Sequence, residues 1–444
     1  MLHKKSEELF PEAINVKKED QRLSLQYSLE LIKNPDNKTL ISTYFTDGIF
    51  IARTDIIKRD QNNPKTLDLI KVNAGKDEKA KYINDLAFVS MVILRSGTNI
   101  NSASTMLISN NYRLGMDTSK MFVCIDSTQK VENKTLEYLI LSDKAAVDLE
   151  YENMPKPVFK KCCNKCPFFY ECIGKDIKNS IFDLPKLSAL KAEELIEKNI
   201  RSIEEIPEDF ELTQQQKIVK DCIENNSIYI SPSLKTEIDS FNPPYYYLDF
   251  ESINTILPIY PDIAPHSQII TQFSVHKCLI IDEISQHFEY IADEKKDDQY
   301  NIAKNLINCL GDKGDIFTYA SFEKIAIQRF AALFEDLSLQ LLNIASRIVD
   351  FEKIIRENYY DIRFHGRSSI KIILPILTKD TNYDNLEISK GGDAAAAFAF
   401  MAMGLYDEEK CKETKKYLLQ YCAQDTMAMV KIHKFLFEAV KNLK

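Results

Sequence analysis

The run Tyr245-Tyr246-Tyr247-Leu248-Asp249-Phe250-Glu251 is an apolar segment of strand-forming residues that ends in two acids. It predicts a largely buried strand. Ile269 to Asp282 and His287 to Ala292 read as two more strands at hairpin-like spacing. Asn301 to Leu310 then reads as helix, Asp315 to Ala320 as a fourth strand, and Phe322 to Phe334 as a helix again. Lys415 to Leu436 is rich in Leu, Met, Ala and Lys without Gly or Pro, which predicts a closing helix. Further upstream, Ile49 to Lys58 alternates through Phe50, Ala52 and Thr54, and Leu67 to Val72 follows as the next strand. Leu187 to Asn199 and Thr213 to Asn225 read as helices separated by Ile203 to Asp209, and Pro243-Pro244 makes a rigid lead-in to the strand at 245. Gly391-Gly392-Asp393 before Ala394 to Ala397 reads as a loop capped by Asp393 into an Ala-rich helix, not as a phosphate loop.

Composition narrows the setting. A chain of 444 residues implies two or three domains, and 45% apolar residues supply large cores. No run of 18 apolar residues occurs and the first residues lack an apolar signal region, so neither a membrane span nor a signal peptide is expected, and the location expected is cytoplasmic. A net charge of -9 argues against capture of nucleic acid by the whole surface. A nuclease of this charge would rely on local Lys/Arg patches and metal bridges to phosphate.

The acids carry the candidate chemistry. Asp249 and Glu251, two apart in a strand, project on one face. Like charges side by side raise the cost of ionising each other, and a hard divalent cation removes that cost through oxygen ligands. Tyr421 and Asp425, four apart on the closing helix, are neighbours on one face. Ser321 can cap the helix that begins beside it. Glu323 then falls in the first turn, where the helix dipole favours a carboxylate. Each piece also fits a plainer role as a solvated strand-end acid, a dipole partner or a surface pair.

Taken in order, these pieces resemble the DnaQ-like, DEDD superfamily of 3′→5′ exonucleases, over about residues 243 to 440. Asp249-x-Glu251 matches the family's first motif and Tyr421-x₃-Asp425 the third motif of its tyrosine subtype. The second motif supplies an aspartate after a short lead; here the lead is Ala320-Ser321-Phe322 and the acid is Glu323, one methylene longer. Asp350, after Arg347-Ile348-Val349, is a further candidate acid. More narrowly, Gln272 to His276, His365 to Lys371 and Tyr421 to Met429 resemble a group of uncharacterised bacterial proteins carrying this domain. The resemblance implies an α/β (α+β) fold, with a ribonuclease-H-like mixed sheet and flanking helices. It implies two Mg²⁺ or Mn²⁺ ions held by Asp249, Glu251 and Asp425, with Glu323 completing the catalytic set. The implied substrate is a single-stranded 3′ end of DNA or RNA. Tyr421 would orient water, since an unperturbed tyrosine titrates near about 10 and makes a poor base at neutral pH.

Cys162, Cys163, Cys166 and Cys172 form the second signal, with C-x₂-C-x₅-C running from Cys163. Outside an oxidising compartment, this spacing suits Zn²⁺ or an iron–sulfur cluster. A set of reduced thiols without metal is the alternative. Residues 1–150 resemble a RecB-like PD-(D/E)XK nuclease, a restriction-endonuclease-like α/β domain. Asp55 matches that family's strand aspartate. Lys71-Val72-Asn73 stands where E-x-K is expected, and Val89 stands where a helix glutamine is expected. The module is therefore read as a degenerate nuclease fold kept for architecture or docking. Related iron–sulfur nucleases draw a fourth cysteine from an N-terminal segment, so the cluster is expected to be incomplete or lost.

The expected organisation is thus 1–150 nuclease-like, 151–182 cysteine segment, 183–242 helical connector and 243–444 exonuclease-like. The function expected is a metal-dependent exonuclease. The rival readings are a catalytically weak nucleic-acid-binding or scaffold protein, and a zinc-containing interaction protein. His276 and His365 lie in family-like stretches but form no metal-ligand spacing with the other histidines.

Overall fold

The structure, a computed structural model, describes residues 2–153, 156–378 and 386–441. It is a mixed α/β protein of two compact units, Met1–Pro155 with Asn254–Ser267, and Lys156–Ile253 with Gln268–Lys444. The cysteine segment and the helical connector thus group with the C-terminal half.

The first unit is built on a six-stranded sheet. Its strands, in both chain and sheet order, are β1 (Ile14–Asn15), β2 (Thr39–Ile41), β3 (Ile56–Arg59), β4 (Thr66–Val72), β5 (Asn99–Ile108) and β6 (Phe122–Asp126). Parallel β4 and β5 are joined through helix α1 (Ala80–Arg95), as a parallel pair requires. Leu86, Val89, Val92 and Ile93 of α1 pack on Leu67 and Leu69 of β4 to form the core. Helix α2 (Thr128–Asp148) lies against the same cluster through Val131. The single strand expected over Ile49 to Lys58 is divided. Ile51–Arg53 pairs with Tyr44–Thr46 in a separate hairpin, and the chain switches to the main sheet at β3. Asp55 sits at the switch, 6% exposed, and its Oδ2 accepts the Val72 N–H at 2.9 Å. Residues 254–267 complete this unit from far along the chain: Leu257 packs on the Ile108, Tyr112 and Met121 cluster, and His266 Nε2 meets Ala74 O.

The second unit centres on strand β7 (Tyr245–Asn254). With β8 (Gln268–Ile280), β9 (Glu283–Ile291), β10 (Ile316–Thr318) and β11 (Ile348–Asp350) it forms a five-stranded sheet in the order β9-β8-β7-β10-β11. β9 is antiparallel to β8, while β10 is parallel to both β7 and β11. Helices α3 (Gln299–Leu310) and α4 (Phe322–Leu333) flank β10 in sequence, and α5 (Phe351–Asn358) follows β11. Tyr247, Phe317 and Phe351 stack through neighbouring elements, with ring centroids 5.4 and 4.6 Å apart, around the buried ring of His433. Gly314, at φ +85°, leads into β10; a Cβ there would lie 2.1 Å from Pro244 O, so only glycine lets β10 begin beside β7.

Helices α6 (Ile370–Leu377) and α7 (Gly391–Ala402) precede the closing helix α8 (Glu408–Lys441). α8 extends beyond the predicted Lys415 to Leu436, and its first turn opens with Glu408 and Glu409, which the helix dipole favours. Leu418, Tyr421, Cys422, Asp425, Met429, Ile432, His433 and Leu436 recur at helical spacing on its buried face. Two expected caps are corrected. α7 begins at Gly391 with Lys390 in the capping position, so Asp393 lies in the first turn. Ser321 occupies the cap of α4 without a side-chain bond; the turn, with Ala320 at φ +76°, is held by Asp350 Oδ1, which accepts the Ala320 N–H at 3.0 Å. Among the described residues no helix is long and apolar enough to cross a membrane.

Candidate functional site

Strand β7 carries Asp249 and Glu251 out of an apolar run, and α8 carries Asp425 toward them. One carboxylate oxygen from each of the three lies within 4.8 Å of the others, the one such set of three donors among the described residues. Glu323, in the first turn of α4, lies close enough for its charge to act on Asp249 and Glu251. It is 3% exposed, and its Oε2 has no hydrogen-bond partner among the described residues. Four acids from three elements thus share one neighbourhood, with Glu323 and Asp425 buried and Asp249 and Glu251 half-buried.

The electrostatics follow from burial. Burial first, then the charges of Asp425, Glu323 and Glu251, push the Asp249 carboxyl far above the usual range. Burial and Asp425 push Glu251 up to about 8, while the nearby Lys371 ammonium pulls the other way. Glu323 is pushed up to about 8, mainly by burial, against backbone hydrogen bonds that favour its charged form. Without a compensating cation, this cluster resists full ionisation at neutral pH.

Tyr421, 3% exposed, lies one turn of α8 before Asp425. Lys371 Nζ, on α6, donates to the Tyr421 hydroxyl at 2.8 Å and to Ser389 O at 2.8 Å, and sits 4.7 Å from the tyrosine ring centre. Burial and the acids Asp425, Glu251 and Asp249 raise the tyrosine pKa further, so its hydroxyl keeps its proton. Cys422, the residue after Tyr421, is fully buried and its thiol donates to Asp249 Oδ2 at 3.5 Å. Burial raises the thiol pKa well above the ordinary value, so Cys422 acts as a donor and not a thiolate.

Lys371 and Cys422 were not singled out for the site from sequence. Lys371 is 50 positions from Tyr421, and no spacing rule links a lysine at the start of one helix to a tyrosine on another. Asp350 stands nearby but serves the backbone: its Oδ1 also accepts the Lys353 N–H at 3.2 Å, capping α5. His276, 5% exposed on β8, stacks on His287 at 4.2 Å and its Nδ1 bonds the Thr426 hydroxyl at 2.8 Å, a packed arrangement. His365 is exposed, at φ +47°, with Nδ1 3.6 Å from Asp183.

The thiols of Cys162, Cys163, Cys166 and Cys172 form no comparable set. Cys162, Cys166 and Cys172 are exposed, and Cys163 Sγ accepts the Lys160 N–H at 3.3 Å. In the first unit, Asp55 faces Lys71 Nζ at 3.7 Å, Asn73 is buried, and Val89 lies in the core.

Residues 246–369 match the model of a domain of unknown function, DUF2779. This stretch contains Asp249, Glu251, Glu323 and Asp350. The chain is similar to the uncharacterized protein MG366 homolog of Mycoplasma pneumoniae, 25% identical over 227 residues, covering 44% of this chain and 32% of that protein. It is also similar to the uncharacterized protein MG366 of Mycoplasma genitalium, 27% identical over 215 residues with the same two coverages. The matched stretch spans about a third of each relative's length.

Proposed function

We propose that the second unit is a 3′→5′ exonuclease that hydrolyses phosphodiester bonds at single-stranded ends of DNA or RNA with two Mg²⁺ or Mn²⁺ ions. The observation that carries this reading is the convergence of half-buried Asp249 and Glu251 with buried Asp425, with the unpartnered Glu323 oxygen beside them. Support comes from the sheet order, since three consecutive strands followed by two parallel ones is the arrangement implied by the ribonuclease-H-like resemblance. The donor set fits the ions: all four side chains offer hard oxygen, and a buried group of like charges is stabilised by a divalent cation. Asp249, Glu251 and Asp425 would hold the ions, with Glu323 completing the set. Bound there, the ions would lower the pKa of water and offset charge on the leaving oxygen.

The protein's own groups have separate roles. Tyr421 keeps its proton and therefore orients water or a phosphate oxygen as a donor. Lys371 fixes the tyrosine oxygen from the other side and adds a cation beside Glu251. Cys422 fixes one Asp249 oxygen. The first unit is proposed as a docking or architectural module, because Asp55 there is engaged with Lys71 and the Val72 amide. That decay also favours the second reading, a catalytically weak nucleic-acid-binding or scaffold protein.

The deciding experiment uses 3′-extended single-stranded DNA and RNA with Mg²⁺ or Mn²⁺. Degradation from the 3′ end by the unmutated protein, abolished by Asp425→Ala, is the expected result. No metal-dependent degradation of either polymer would favour the scaffold reading. Unchanged activity in the variant would mean that the chemistry lies elsewhere.

A further inference from the structure

The second unit contains a cavity of about 110 Å³ that none of the four acids lines. Its walls are aromatic: Tyr229 and Tyr360 are register partners in a two-stranded ribbon, and Phe364 crosses Tyr360 edge-on at 6.0 Å. Its rim is cationic, with Lys186, Arg356 and Arg367. Arg356 is engaged by Glu352 at 3.1 Å, another lining residue. Lys186 and Arg367 are exposed at the mouth. Asp183 lies beside His365 and also interacts with the Arg367 charge. Lys186 and Arg367, offset only in part by Asp183, leave the mouth of this aromatic cavity cationic in a chain of net charge -9.

Gly366 holds this mouth together. At φ +67° it passes so close to Asp183 O that a Cβ would lie 1.7 Å away, so only glycine brings the segments of Arg367 and Lys186 to the same rim. The loop then runs directly toward the acid cluster. Ser368 O accepts the Tyr319 hydroxyl, and three residues later Lys371 holds Tyr421.

We propose that this cavity binds one nucleotide unit, with a base ring against Tyr229, Tyr360 and Phe364 and its phosphate at Lys186 and Arg367. At about 110 Å³ the cavity is smaller than the engineered cavity of about 150 Å³ that takes benzene, so it has room for one ring at most and a pyrimidine fits better than a purine. Aromatic faces stack bases without regard to sequence, and cations bind phosphate by charge-assisted hydrogen bonds. The choice of a nucleotide over another aromatic phosphate rests on the nuclease reading. The ligand is either the released mononucleotide or a nucleotide still within the strand.

The test is calorimetric titration of the full chain, freed of metal with chelator, with uridine monophosphate, uridine, inorganic phosphate and a short oligouridylate. Uridine monophosphate should bind more tightly than uridine or phosphate. The exposed pair Lys186→Ser/Arg367→Ser should weaken it by about tenfold or more while leaving the melting temperature unchanged. Asp425→Asn should leave it unchanged. Tighter binding of the oligomer assigns the cavity to the strand; equal binding assigns it to the product. No saturable binding of the monophosphate, or loss in Asp425→Asn with none in the double variant, overturns the proposal. Binding without any nuclease activity would sink the enzymatic reading and leave the cavity assigned, whereas activity without binding would do the reverse.

Discussion

Replacing Glu323 by glutamine should shift the stability of the metal-free protein, relative to the unmutated chain, upward as pH rises. The residue is 3% exposed, and its carboxyl is pushed from an ordinary 4.5 up to about 8. Because the folded value lies above the unfolded one, the fold gains nothing from this group at high pH. The penalty is absent below about pH 4.5 and grows until about pH 8, at about 1.4 kcal/mol per pH unit. At pH 5 it amounts to less than about 1 kcal/mol and at pH 7.5 to roughly 3–4 kcal/mol. Glutamine keeps the shape and one acceptor but does not titrate. It also places an amide NH₂ where Oε2 has no partner, a pH-independent cost of about 1–3 kcal/mol. The difference between the two pH values is free of that cost. Relative to the unmutated protein, the variant should therefore gain about 3 kcal/mol between pH 5 and pH 7.5, seen as a melting shift of roughly 5–10 °C. The assay is thermal unfolding in chelator at both pH values, repeated with Mg²⁺ or Mn²⁺, where the ranking should reverse because the glutamine is the poorer ligand. A pH-independent difference in chelator would refute the electrostatic account of the cluster.

Three further outcomes are expected. Lys371→Met should lower activity several-fold and alter its pH profile, with Lys371→Arg restoring it in part, whereas Tyr421→Phe should slow the reaction without abolishing it; profiles of rate against pH for the three variants decide this. His433, fully buried with Nδ1 against the Tyr247 hydroxyl at 2.8 Å, is pushed down to about 3. It stays neutral in the fold while the unfolded chain protonates below about pH 6.5, so stability is full above that pH and falls toward pH 3. His433→Gln should flatten this acid limb by about 1.4 kcal/mol per pH unit, read from denaturation midpoints between pH 7 and 4.5. Elemental analysis of protein prepared anaerobically should find zinc or iron if Cys162, Cys163, Cys166 and Cys172 bind metal, and neither would leave them as reduced thiols.

The parts legible in the sequence are those fixed by local periodicity. The apolar run at Tyr245 to Glu251 and the Leu/Met/Ala-rich stretch around Tyr421 announce a buried strand and helix, and the acids on them stand out for their cost of burial. What was not legible depends on long-range choices. Asp55 splits an apparently continuous strand because a backbone amide 17 positions later needs its carboxylate. Asp350 replaces Ser321 in securing the turn before α4 because β10 and β11 are parallel neighbours, a pairing no local pattern encodes. Lys371 meets Tyr421 only after α6 and α8 have packed.

The return of residues 254–267 to the first unit also bears on how the protein is made. Synthesis runs from the N-terminus, yet the first unit lacks Leu257 and His266 until the ribosome has added the 112 residues from 156 to 267. At elongation rates of about 5–20 residues per second that is a wait of about 6–20 s. During it, the Ile108, Tyr112 and Met121 cluster emerges without its last apolar partner. Strand β7, with both its acids, must leave the ribosome before the first unit is complete. The nascent chain therefore cannot finish its two halves one after the other, and a gene cut at codon 156 would release a first half missing a piece of its own core.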